Sequence, residues 1–138
     1  MNLLAKDWKY SKDLGILIFR IVFGFVLLYG HGFGKLSTIF SGDEIRFMDP
    51  IGIGATLSFY LAAFAEGVCA LLLIIGFFTR PAAVILTLNF LVIFLHHIGD
   101  GFNVLEPRIF YLLSYLALSI TGAGAFSLDR LFFGRKKR

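Results

Sequence analysis

The chain has 138 residues, of which 58% are apolar and 16% are charged, and its mean hydropathy is +0.84. Soluble domains contain about 45–50% apolar and about 25% charged residues, so this composition cannot cover the surface of a water-soluble fold. The net charge of +4 does not indicate a nucleic-acid-binding face, because five of the thirteen basic residues lie in the last nine positions.

Four apolar segments have the length that a helix needs to cross a bilayer, about 17–25 residues. They predict an all-α membrane protein, a four-helix bundle formed by a single domain over residues 1–138. Pro81 marks the start of the third helix, because proline suits the first helical turn. The glycine-rich segment 30–34 is expected to end the first helix and turn the chain. The predicted spans are 14–30, 55–78, 82–98 and 109–126.

Lysine and arginine residues near the spans predict the orientation, since short loops rich in them stay in the cytoplasm. One side has nine such residues, and the other has Lys35, Arg46 and Arg108. Both termini are therefore expected in the cytoplasm, where residues 127–138 would form a basic tail that can attract anionic lipid. The nine residues are Lys6, Lys9, Lys12, Arg80, Arg130, Arg135, Lys136, Lys137 and Arg138.

Ionisable residues inside the spans are informative, because a charge at membrane depth normally faces the protein interior. In the first span, Arg20, Gly24 and His31 fall on one stripe at helical spacing. Glu66 of the second span is twelve residues from the predicted end at Phe78, or about 18 Å at about 1.5 Å per residue, close to the midplane. We expect Arg20 to pair with Glu66 there, because a guanidinium keeps a buried carboxylate charged.

A second polar group lies at the outer ends of the spans and includes all three histidines of the chain. Histidine at this depth can move a proton, hydrogen-bond a quinone carbonyl or bind a metal. Amphipathic side chains also collect at the headgroup level without any ligand, so both interpretations stay open. We expect no metal site, since no HxH or HxxxH spacing is present. The candidate outer site consists of His31, Lys35, His96, His97, Asp100, Glu106 and Arg108.

Polar residues of the third and fourth spans extend this pattern. Asn89 shares a stripe with His96 and Asp100, while Tyr111 follows Arg108 at the outer end of the fourth span. Each helix is thus expected to offer one polar stripe to a common interior.

Short motifs lie between residues 14 and 126: LIFRIVFG at 17–24, YGHGFGKL at 29–36, EG at 66–67 and GFFTRPA at 76–82. In combination they resemble the DoxX family of small bacterial membrane proteins. The resemblance implies a four-helix bundle in the bacterial inner membrane, and members are often described as oxidoreductase subunits. The matching positions are Arg20, Gly24, His31, Gly32, Lys35, Glu66, Gly67, Gly76, Thr79 and Arg80.

The resemblance implies a membrane subunit that supports quinone-linked redox chemistry, working as a homo-oligomer or with a partner subunit. The outer histidines, Lys35 and Glu106 would then hold a quinone head group, while Arg20 and Glu66 would stabilise the bundle or conduct a proton. A non-catalytic assembly or anchoring subunit with a dry, fully paired interior is an alternative, and a small proton or solute carrier is another. The sequence assigns no catalytic residue and does not decide whether the chain is an enzyme.

Overall fold

The computed structural model describes residues 8–134, and this part of the chain folds as an all-helical bundle. The predicted fold class is confirmed, because four helices are long and apolar enough to cross a membrane. Lys6 and the basic residues from Arg135 onward lie outside the described residues. The four long helices are α1 (Ser11–Ser41), α2 (Ala55–Ile75), α3 (Thr79–His96) and α4 (Phe102–Thr121), and a short helix, α5 (Leu128–Phe133), follows.

The four long helices pack in a ring, in which each contacts the next along the chain and α4 returns to α1. The backbone N–H of Ala125 donates to Oδ1 of Asp13 at 2.8 Å, so the start of α1 lies beside the segment that follows α4. We call this end, with residues 76–79 and 122–134, the terminal end. The opposite end, with residues 42–54 and 97–101, is the connector end. The fully buried core between them contains Leu27, Cys69, Leu73, Leu86, Tyr115 and Leu118.

The first helix is longer than predicted. Its backbone passes through a π-helical segment, Leu28–Gly32, and then continues as an α-helix to Ser41. The expectation that the glycines of segment 30–34 end this helix is therefore wrong. A π segment absorbs an extra residue within a helix without breaking it, which hydropathy alone does not reveal.

The other helix ends differ from the predicted ones by smaller amounts. Helix α2 stops at Ile75, because Gly76 adopts a left-handed conformation with φ of 72°. Helix α3 begins at Thr79, and Pro81 lies in its first turn as predicted. Helix α4 spans 102–121 rather than 109–126, so Pro107 lies inside the helix instead of before it.

Arg20 is fully buried at the terminal end, where it binds backbone carbonyls. Its Nη1 donates to the carbonyl of Ala123, and its Nη2 donates to that of Phe126 at 2.8 Å. Both carbonyls belong to the chain after α4, which has no helical partners for them. The guanidinium therefore fastens this segment to α1.

Asp129 in α5 fixes the turn between α2 and α3. Its carboxylate accepts from the backbone N–H of Phe78 at 2.7 Å and of Thr79 at 2.9 Å. A carboxylate at the start of a helix satisfies free N–H groups and interacts favourably with the helix dipole. Asp129 caps the start of α3 in this way, so the chain after α4 packs across the terminal end of the bundle.

Small residues allow α1 and α2 to approach closely. A Cβ added to Gly24 would lie 2.8 Å from Ile74, and one added to Gly32 would overlap the backbone oxygen of Glu66. Small residues are the usual means of close helix packing in a bilayer, where no hydrophobic force draws helices together. The backbone of α1 therefore touches that of α2 at Gly32.

We predict that Gly32→Ala destabilises the protein, because the added methyl group must push α1 away from the Glu66 backbone. Overpacking of this kind costs about 1–3 kcal/mol. The free energy of unfolding in detergent measures the effect. Gly30→Ala is the matched control, since nothing lies within 4 Å of its Cβ position in the described structure. Equal stability of the two variants would contradict the close contact.

Candidate functional site

Two π-helical segments face each other in the middle of the bundle. Leu28–Gly32 in α1 contacts Phe64–Cys69 in α2. Single π turns inside α-helices re-aim the side chains that follow and are frequent at functional sites. The contact places Glu66 on the inner face of α2, with Lys35 one turn beyond the π segment of α1.

Glu66 is paired with Lys35. The Nζ of Lys35 lies 2.5 Å from Oε2 of Glu66, and Nδ2 of Asn89 donates to Oε1 at 3.1 Å. The Glu66 side chain is 4% exposed and that of Lys35 is 16% exposed. Both carboxylate oxygens are thus satisfied by groups from two other helices, so the polar stripes of α1, α2 and α3 meet here.

The predicted Arg20–Glu66 pair is therefore wrong. Arg20 lies beside Gly76, ten residues after Glu66 in the sequence, and ten residues of helix rise by about 15 Å. Its guanidinium is occupied by the carbonyls of Ala123 and Phe126. The prediction failed because it ended the first helix at residue 30, which placed Lys35 at the outer membrane face instead of beside Glu66.

A cavity of about 190 Å³ lies between the helices towards the connector end, and we call it the polar cavity because ionisable side chains form part of its wall. Four residues of the predicted outer site line it, and Glu66 forms part of the same wall. The sequence thus predicted a group of polar side chains that the fold does bring to one cavity. The four are His31, Lys35, His97 and Arg108.

Three residues of the predicted outer site do not line the cavity. His96 is exposed, with its ring centroid 5.0 Å from that of His97. Glu106 is also exposed. Asp100 acts indirectly, because its Oδ2 lies 2.6 Å from Nδ1 of His97.

Two polar atoms at the cavity have no hydrogen-bond partner among the described residues. They are Nε2 of His97 and Nε of Arg108, both of which are buried. The carboxylate of Asp100 can only accept, so in the neutral imidazole of His97 the proton is assigned to Nδ1 and Nε2 is an acceptor. The Nε–H of Arg108 is a donor. Residues that line the polar cavity therefore carry one acceptor atom and one donor atom without a partner among the described residues.

Aromatic rings form another part of the wall. Tyr111 stacks against Phe90 with ring centroids 4.8 Å apart, and its ring is perpendicular to that of His31 with centroids 6.2 Å apart. The helical spacing predicted that Tyr111 faces the interior of the bundle. Nothing in the sequence distinguishes Phe90 from the other apolar residues. The same holds for Phe47 and Met48 of the connector, which also line the cavity.

The connector over the cavity is held by Asp49. Its carboxylate accepts from the backbone N–H of Ile53 and Gly54, each at 2.9 Å, and from the hydroxyl of Ser58 at 3.1 Å. The hydrogen bond from Gly54, with smaller contributions from Ser58 and Ile53, holds the pKa of Asp49 below its ordinary value. The charged carboxylate therefore ties the connector to the start of α2 at neutral pH, next to Phe47 and Met48 in the sequence.

Within residues 8–134, no group of three or more His, Cys, Asp or Glu side chains is arranged to hold a metal ion. Of the ionisable groups at the cavity, Lys35 pairs with Glu66, and His97 pairs with Asp100.

Comparison with known proteins places this architecture in a family. The model of the DoxX family matches residues 15–98, which is more than half of the chain. The chain belongs to the DoxX family. No solved structure matches it.

Three relatives of this DoxX protein match over most of their length. The Escherichia coli K12 inner membrane protein YqjF is 33% identical over 129 residues, covering 89% of this chain and 95% of YqjF. The E. coli K12 inner membrane protein YphA is 36% identical over 135 residues, covering 90% and 94%. A Haemophilus influenzae protein is 40% identical over 142 residues, covering 96% and 98%. The chain is thus an integral, multi-pass inner membrane protein.

The motif residues that resemble the DoxX family lie at two places in the structure. Gly32, Lys35 and Glu66 build the central contact between α1 and α2. Arg20 and Gly76 lie together at the terminal end. The motifs therefore mark both the polar centre of the bundle and its closure.

We predict that Lys35 and Glu66 are energetically coupled and that Arg20 and Glu66 are not. Glu66→Gln leaves the Lys35 ammonium without its partner, and breaking a buried pair costs about 3–5 kcal/mol. Lys35→Met combined with Glu66→Gln should recover part of that loss. Free energies of unfolding for the single and double variants measure the coupling.

The matched cycle uses Arg20→Gln with Glu66→Gln. Because the two side chains share no partner, their effects should add within about 0.5 kcal/mol. A coupling of Arg20 to Glu66 as large as that of Lys35 would contradict the assignment.

We predict that Asp49→Ala loosens the connector at neutral pH, which hydrogen exchange of residues 42–54 would measure. The folded-state pKa of Asp49 is lowered, so its stabilising contribution is present above the unfolded-state pKa and is lost as the pH falls through the folded-state value. In the unmodified protein, protection should therefore persist at neutral pH and fall in acid, after correction for intrinsic exchange rates. Asp43→Ala in the same connector should change little, and equal loosening by both variants would contradict the role of Asp49.

Proposed function

We propose that this DoxX-family protein is a membrane subunit that binds a quinone head group in the polar cavity and exchanges protons with it. The observation that carries the proposal is the pair of unpartnered atoms at the cavity, Nε2 of His97 and Nε of Arg108. Buried polar atoms normally have hydrogen-bond partners. A molecule with its own donor and acceptor would complete both.

The residues present fit such a head group. The Nε–H of Arg108 suits a carbonyl oxygen, and the lone pair on Nε2 of His97 suits a hydroxyl group. The stacked rings of Tyr111 and Phe90 give the cavity a flat wall against which a further ring can pack. Quinone carbonyls, quinol hydroxyls and a planar ring are the features that this arrangement would recognise.

When bound, a quinone supplies redox chemistry that moves two electrons and two protons. His97 would take a proton at Nε2, and Asp100 would stabilise the resulting imidazolium through Nδ1–H. Lys35 and Glu66 form the inner wall and keep it polar. The electrons would pass to or from a partner subunit, so the protein would work within a homo-oligomer or a larger complex.

The assembly or anchoring alternative is less well supported. It expects a dry interior in which every polar group is paired, whereas the connector end holds a cavity and unpartnered atoms.

We also propose that the terminal end faces the cytoplasm, on the basis of the excess of Lys and Arg on that side. The polar cavity would then open towards the opposite half of the membrane.

We predict that His97→Ala weakens binding of the chainless head group in its reduced form, dimethoxy-methyl-hydroquinone, at least about tenfold. The variant removes Nε2 of His97, which is the acceptor for a hydroxyl group of the ligand. A tenfold change in the dissociation constant corresponds to about 1.4 kcal/mol. Equilibrium dialysis with the protein in lipid nanodiscs measures the dissociation constant.

His96→Ala is the matched control, because this adjacent histidine is exposed and does not line the cavity. Its affinity should stay within about twofold of that of the unmodified protein. Absence of head-group binding to the unmodified protein, or equal effects of the two histidine variants, would overturn the proposed function.

A further inference from the structure

An apolar groove lies beside the polar cavity, between α2 and α3. It has a volume of about 320 Å³, and the connector covers its end, where the hydroxyl of Ser58 donates to Asp49. Phe47, Met48 and Ile93 line both the groove and the polar cavity. The two spaces are therefore neighbours that share a wall, and the shared residues include two from the connector.

We infer that the groove binds the first part of the isoprenoid chain of the quinone whose head group occupies the polar cavity, an inference that rests on the proposed function. The volumes support it. Ligand pockets usually measure about 300–1,000 Å³, and the polar cavity alone falls below that range at about 190 Å³. The site reaches an ordinary size only when the groove is included.

The chemistry of the groove suits hydrocarbon. Its polar residues are already satisfied, because Ser58 donates to Asp49 and the amide of Asn89 donates to Glu66. Among the described residues, none of the buried side-chain atoms that lack a partner belongs to the groove, whereas two belong to the polar cavity. A ligand that is polar at one end and apolar along its chain matches this division.

The position of the groove also gives the chain a route into the bilayer. Leu61 of α2 and Leu88 of α3 line it and are 51% and 56% exposed on the lipid-facing surface of the bundle. An isoprenoid chain that begins beside Ile93 can therefore leave between these two helices. Lateral entry of this kind needs no opening at the ends of the bundle.

The experiment fills the groove and compares two quinones. Leu88→Trp places a larger side chain in the groove from the exposed surface, where it need not disturb the core. Val84→Trp is the matched control, because this residue of α3 is 46% exposed and does not line the groove. The probes are dimethoxy-methyl-benzoquinone and ubiquinone with a short isoprenoid chain, both titrated in nanodiscs of the same lipid.

Leu88→Trp should weaken binding of the chain-bearing quinone at least about tenfold and leave the chainless one within about twofold. Val84→Trp should affect neither. Leu61→Trp on the opposite wall repeats the test if Leu88→Trp does not fold. Unchanged affinity of both groove variants for the chain-bearing quinone would overturn the inference while leaving the proposed function in place.

Two further outcomes separate the proposals. Failure of the chainless quinone to bind the unmodified protein would overturn the proposed function and, with it, the inference. Mass spectrometry of the purified protein identifies the other candidate occupant. A phospholipid that is retained by the unmodified protein and lost from Leu88→Trp, with quinone affinity unchanged, would assign the groove to lipid.

Discussion

A carboxylate in the middle of a membrane-spanning helix must be neutralised or paired, and Glu66 is that carboxylate in this bundle. Its partners come from two other helices, since Lys35 approaches from α1 and Asn89 from α3. An ionised group at membrane depth is costly unless it faces the protein interior. The contact of α1 with α2, and the orientation of both helices about their axes, therefore depend on the Glu66 side chain.

The backbone adapts to bring this pair together. Gly32 allows α1 to touch the backbone of α2 at Glu66, and a π-helical segment lies in each helix at the contact. A π turn shifts the face of every later residue by about one position, so Lys35 can point inward from a helix whose first part is oriented by Arg20. The opposite end is organised differently, because Arg20 and Asp129 there bind the backbone of the chain around them.

Hydropathy and helical spacing predicted much of this structure. Four apolar segments were enough to identify the four helices, and the stripe through Arg20 and Gly24 is buried as expected. The spacing could not reveal the π segments, because it assumes 3.6 residues per turn throughout. The glycines of segment 30–34 were also expected to end the first helix, so this helix was ended too early, and Glu66 was assigned to Arg20 instead of Lys35. His97 and Arg108 were recognised as polar residues at one level, but only the fold separates them from His96 and Glu106.

Stability alone does not account for the Lys35–Glu66 pair. Buried ion pairs can often be replaced by apolar residues of similar volume with little loss, or even a gain, in stability. This pair, however, forms the wall of a cavity whose other polar atoms, on His97 and Arg108, have no partner among the described residues. An apolar core at the same place would pack more simply and would leave those atoms next to hydrocarbon. The cost of keeping charges at the centre of the bundle is consistent with a site that has to remain polar for a ligand.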